Sequence, residues 1–151
     1  MSRLNRRVRA DGRSSDKPTP GAKKSWQPEP PFALFPHKLI KHLIDCRLSA
    51  NAYQVLMFLC FEHLSHGGYE NANLFATYDQ LKAAGIRRSS IRTAFIALEE
   101  AGLVRRTDGG AMRDAAQYEV TFLPTADPET KYQLPPKDSW KFIARRKGDA
   151  A

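Results

Sequence analysis

TYDQLKAAGIRRSSIRTAFIALEEAGLVRRTDGGAMRDAAQYEVTF, running from Thr77 to Phe122, is the stretch whose reading decides the fold. Thr77-Tyr78-Asp79-Gln80 opens a first helix, and Leu81 and Ala84 give it an apolar face. Thr77-x-x-Gln80 has the form of a capping box, in which the threonine hydroxyl accepts the amide hydrogen of residue 80 and Gln80 reaches back to the amide of Thr77. Gly85-Ile86-Arg87-Arg88 turns the chain. Ser89 or Ser90 is the expected cap of a second helix, whose Ile91, Ala94, Phe95 and Leu98 fall three or four apart. Gly102 stops it. Leu103–Thr107 and Gln117–Phe122 read as two strands around the tip Asp108-Gly109-Gly110. Tyr118, Val120 and Phe122 alternate with Gln117, Glu119 and Thr121, the pattern of a strand with one buried face.

Upstream, Pro36 fits the first turn of a short helix with Leu39, Ile40, Leu43 and Ile44 as one stripe. Ser49 suits the N-cap of a longer helix from Ala50 to about Leu64, apolar around most of its circumference like the central helix of a small domain. Asn73–Ala76 is a candidate first strand for the sheet of the hairpin. Residues 1–31 are rich in Arg, Ser, Lys and Pro and almost without apolar side chains, so they are expected to form a disordered basic arm. The packed domain is expected over 32–124, ending at Pro124. Residues 125–151 are expected to be a flexible tail, with a short helix or docking segment where Trp140, Phe142 and Ile143 lie beside Arg145-Arg146-Lys147. The fold class is mainly α with a small antiparallel β-hairpin.

At 151 residues the chain holds one domain and little more. Its formal net charge of +8 favours an anionic partner, nucleic acid before an acidic membrane surface. The charge is unevenly placed. Residues 1–24 carry eight basic groups against two aspartates, whereas 25–122 holds ten of each sign. Six of those ten basic residues are Arg87, Arg88, Arg92, Arg105, Arg106 and Arg113, all on the turn, the second helix and the hairpin. A merely solvated surface mixes its signs more evenly. The two cysteines, Cys46 and Cys60, suggest no disulfide framework, and neither a secretory signal nor a membrane span is read, so a soluble cytoplasmic protein is expected.

The matching residues Gly85-Ile86-Arg87-Arg88-Ser89-Ser90-Ile91-Arg92-Thr93-Ala94 and Leu98-Glu99-Glu100-Ala101-Gly102-Leu103-Val104 look like the signature G-I-s-x-x-[ST]-[VI]-x-x-A-[IFL]-x-x-L-x-x-x-G-L-[VI]. With Ser49–Tyr53 and Thr77–Leu81, they give residues 36–122 a pattern that resembles the winged helix-turn-helix DNA-binding domains of bacterial regulators and of phage and plasmid replication initiators. The resemblance implies a winged helix-turn-helix domain flanked by disordered tails, binding double-stranded DNA at an operator or origin. The chain is shorter than most replication initiators, which favours a regulator. The expected contacts are Arg87, Arg88, Ser89, Ser90, Arg92 and Thr93 at the start of the second helix, Tyr78 on a phosphate, and Arg113 near the hairpin tip. Arg105 and Arg106 are consecutive on a strand, so only one of them is expected to face DNA.

Two other readings stay open: a replication accessory factor that captures a protein partner through its C-terminal tail, and a winged helix that binds protein alone. Oligomeric state is also open, since no heptad and no clear exposed apolar helix is read. Cys60, His63 and His66 are three apart, but a fourth ligand is missing and no metal site is expected. Gly67-Gly68 and Gly109-Gly110 lack the lysine of a phosphate-binding loop. No nucleophile–base grouping stands out, so neither enzyme activity nor a cofactor is expected.

Overall fold

In the computed structural model the described residues are 30–108, 115–130 and 132–143. Most of the basic arm, the hairpin tip with Arg113, and Arg145-Arg146-Lys147 lie outside them. Among the described residues the chain is mixed helical with two small antiparallel sheets: α1 His37–Asp45, α2 Ala50–Ser65, β1 Leu74–Phe75, α3 Tyr78–Ala83, α4 Arg88–Glu100, β2 Val104–Asp108, β3 Gln117–Val120, β4 Thr125–Ala126, β5 Gln133–Leu134 and a 3-10 turn Ser139–Phe142. One sheet has the order β1-β3-β2 and the other pairs β4 with β5.

Local sequence accounts for most boundaries. Pro36 stands at the N-cap of α1, one position before its expected place in the first turn. Ser49 caps α2 by accepting from the Ala52 amide at 3.2 Å. Both halves of the Thr77–Gln80 capping box form on α3, at 3.2 and 3.0 Å. Gly85, at φ +93°, closes α3: the Ile86 amide donates to the Leu81 carbonyl and Gly85 to that of Lys82. This bonding pattern brings two fully buried side chains, Leu81 and Ile86, to the two ends of the turn. Gly102, at φ +71°, repeats the device at the end of α4, with Leu98 and Leu103 as the buried pair.

The core is built from Leu39 of α1, Val55, Leu56 and Leu59 of α2, Leu81 of α3, Ile91, Ala94 and Leu98 of α4, and Leu74, Val104 and Val120 of the sheet. Burying such side chains contributes about 1.5–3 kcal/mol each. Cys60 is buried among them, and burial pushes its thiol up to about 12. α2 is less central than its composition implies, because Met57 and Phe61 face outward. Together with Ile40 and Ile44 of α1 they expose more helical apolar surface than the sequence pattern anticipates.

Two further expectations fail. β3 ends at Val120, and it is buried on both faces: Glu119 and Thr121 are each only 1% exposed. The cause is the segment after Pro124, which packs back instead of trailing away as a flexible tail. The Asp138 amide donates to the Thr121 carbonyl at 2.8 Å, and Lys137 lies 3.0 Å from Glu119. Trp140 is buried beside His42 and against Gly102, where a Cβ would come within 2.9 Å of the Trp140 backbone. The domain therefore does not end at residue 124. Trp140 is held internally, while Phe142 stays 84% exposed.

His63 of α2 is buried, and its Nδ1 has no hydrogen-bond partner among the described residues. Burial lowers its pKa below the ordinary 6.5. The folded state thus holds the neutral ring, while the unfolded chain takes a proton more readily. This contribution to stability is complete above pH 6.5 and is lost as the pH falls toward the lowered value. The melting temperature should fall between pH 7 and pH 5, and His63→Leu should flatten that fall. An unchanged slope in thermal melts of the variant would refute the assignment.

Candidate nucleic-acid interface

The turn between α3 and α4 determines which side chains begin α4. Because Ile86 is buried to close the turn, only Arg87 is left to precede the helix, with φ −65° and ψ 131°. Arg87 is the N-cap, and the expected caps Ser89 and Ser90 fall inside the first turn. No side chain caps α4. An uncapped helix start directs backbone N–H groups and the positive end of the helix dipole outward.

On α4 the side chains of Ile91, Ala94, Phe95 and Leu98 are buried. Arg87, Arg88, Ser89, Arg92 and Thr93 are exposed, and Ser90 is half-buried. Ser89, Arg92, Thr93 and Ile96 are spaced i, i+3, i+4 and i+7, so they line one outward row. Ile96 belongs to this row and is absent from the residues that the sequence pattern selects. Its signal was its phase, seven residues after Ser89, rather than its chemistry.

Tyr78, in the first turn of α3, is half exposed, and the Arg88 guanidinium lies 5.4 Å from its ring centre. That separation is within the range of a cation–π contact, which restricts the arginine without consuming its hydrogen-bond donors. Tyr78 thus presents its ring to the start of α4 besides any contact made by its hydroxyl.

The hairpin joins the same face through Tyr118. Its ring stacks on Phe95 at 4.3 Å and 13°, which places that side of β3 against α4. Burial pushes the Tyr118 phenol up; Arg106 opposes the shift, and Glu99 and Tyr78 add to it. Arg106 is the cross-strand partner of Tyr118, so it shares the α4 side of the sheet. Arg105 pairs with Glu119 on the opposite side, its Nε donating to Oε2 at 2.8 Å. Burial raises the Glu119 pKa, but hydrogen bonds from Lys137 and Arg105 outweigh it and hold the carboxyl below the ordinary 4.5. Both arginines are exposed, and the stack puts Arg106 on the α4 side of the sheet and Arg105 on the other.

Arg105→Ala should therefore lower stability by about 1–2 kcal/mol, discounted because the arginine is half exposed and Lys137 remains on Glu119. Urea denaturation measures this. A stability equal to the parent's would deny Arg105 its role at Glu119.

Among the described residues no helix is long and apolar enough to cross a membrane. Nor do three His, Cys, Asp or Glu side chains among them converge as metal ligands. An open cleft of about 110 Å³, lined by Glu62, His66, Glu70, Asn73, Leu74 and Phe75, holds none of the arginines. No family model matches this chain, and neither a curated protein nor a solved structure does.

Proposed function

We propose that the chain is a winged helix-turn-helix protein that binds duplex DNA at a preferred sequence, as a bacterial transcriptional regulator. α4 is the recognition helix, and the β2–β3 hairpin is the wing. The observation that carries the reading is the sorting of the arginines. Arg88 and Arg92 stand on the exposed first half of α4, and Arg106 lies on the same side of the sheet. Arg105, on the other side, is ion-paired to the buried Glu119, which Lys137 shares. Along α4 the positive charge of Arg88 and Arg92 lies at the helix start, while Glu99 and Glu100 carry negative charge at its far end.

In this reading the outward row of α4 enters the major groove. Arginine forks match the two acceptors of guanine, and the Ser89 hydroxyl and first-turn amides suit phosphate oxygens. The arm, with its eight basic residues, adds salt-dependent affinity with little sequence information. The reading requires no catalytic group, metal or cofactor, and it places the protein in the cytoplasm. A replication factor that recruits a partner through residues 140–147 is the second reading; Trp140 is buried within the domain, and Phe142 of that segment is exposed.

Selection of random duplexes on the purified protein near physiological salt tests the proposal. An enriched motif is expected. Salt-sensitive retention without enrichment would overturn it and leave a protein partner as the specific ligand.

A further inference from the structure

We infer that Ile96 reads the methyl group of a thymine, an inference that rests on α4 being the recognition helix. Ile96 is the one large apolar side chain of α4 that faces outward, 44% exposed, while Ile91, Phe95 and Leu98 are buried. A single exposed isoleucine is ordinary on a protein surface. Its setting here is not. It closes the row Ser89, Arg92, Thr93, whose other members are all hydrogen-bonding side chains, on the face that carries Arg88 and Arg92.

Nothing in the helix calls for isoleucine at this position. At 44% exposed it gains only part of the burial a core position gives, and its helix propensity is below that of alanine, leucine, lysine or arginine. Its branched Cβ leaves one strongly preferred rotamer on a helix, so the methyl groups project from a defined place. A partner that buries it must offer an apolar group. On the major-groove edges of the four base pairs, the C5 methyl of thymine is the only one. The row also fixes a spacing. Ile96 lies four residues beyond Arg92, about 6 Å along the helix axis. With about 3.4 Å between base pairs, the thymine falls roughly two base pairs from the guanine that Arg92 meets.

The test compares thymine with deoxyuridine, which pairs identically but lacks the methyl group. Each thymine of the selected motif is replaced in turn, and binding is followed by fluorescence anisotropy with the full chain and with Ile96→Ala. One replacement is expected to weaken the parent protein roughly fourfold, the effect of one buried methyl-sized group. Ile96→Ala should bind the two duplexes equally, with a cooperative thermal melt retained. If the parent protein does not distinguish thymine from deoxyuridine at any position, or if Ile96→Ala retains the distinction, the inference falls while α4 recognition stands. A selected motif without thymine has the same consequence. If selection yields no motif at all, the recognition reading fails and the inference fails with it.

Discussion

Replacing Arg88 and Arg92 together with alanine is expected to weaken binding to the selected site by about a hundredfold or more, with the fold intact. Each arginine that meets a guanine with its fork supplies about 1–3 kcal/mol of discrimination, and each 1.4 kcal/mol is a factor of ten. Both side chains are exposed and neither belongs to the buried stripe of Ile91, Ala94, Phe95 and Leu98. Alanine is the better helix former, which offsets the lost contact of Arg88 with the Tyr78 ring, so the melting temperature should stay close to the parent's. The two arginines are one turn apart, and their effects need not add. Arg88 differs from Arg92 in lying over the Tyr78 ring, so its side chain is partly ordered before DNA arrives. Loss of specific binding should exceed loss of binding to unrelated duplex, since the remaining charges still meet phosphates. Anisotropy titrations on the selected site and on an unrelated duplex separate the two. Equal losses on both would make the pair phosphate contacts only. No loss on either would remove α4 from the interface.

The parts of this fold that were legible in the sequence are those whose causes are local. Ser49 and Thr77 each bond an amide three residues ahead, and Gly85 and Gly102 take positive φ where a helix must end. Each is visible within five residues of chain. What was not legible depends on residues far apart. Glu119 alternates like a solvent-facing strand residue, and its burial follows from Lys137, eighteen positions on. Trp140 lies far along the chain from its seat, which is made by His42 and by the bare Cα of Gly102. The α4 cap moved from serine to Arg87 because burial of Ile86 in the turn outranked side-chain capping preference. At the candidate site, alternation put Arg105 and Arg106 on opposite sides of the sheet. Choosing between them needed the stack of Phe95 on Tyr118, a contact between a helix and a strand.

Asn71→Ala is expected to destabilise the domain by about 3 kcal/mol or more, the largest effect of any single change considered. Asn71 is buried in the segment between α2 and β1. Its Oδ1 accepts from the Val120 amide at 2.8 Å, and its Nδ2 donates to the carbonyls of Val120 and Leu123 at 2.9 and 3.0 Å. The side-chain amide therefore bonds both backbone groups of Val120, as a neighbouring strand residue would. It takes up the ladder beyond Leu74–Phe75, where β1 pairs with Tyr118 and Gln117. Alanine leaves the Val120 amide and the Leu123 carbonyl to be satisfied afresh, at a cost of about 1–3 kcal/mol for each that stays buried and unpaired, while the Val120 carbonyl keeps the Leu123 amide at 3.2 Å. Asn71→Asp should be no better at neutral pH. It keeps the acceptor for the Val120 amide but directs a carboxylate at two carbonyl oxygens, and it should recover stability as acid protonates it. Urea denaturation of both variants at pH 7 and pH 5 measures this, and a loss below 1 kcal/mol for alanine would show that other groups or water replace the amide. Asn71 holds the end of β3, and β3 carries Tyr118 to Phe95 and sets the side of Arg106. A variant that still folds should therefore lose the affinity due to Arg106 as well as stability, although residue 71 touches no part of the proposed DNA face.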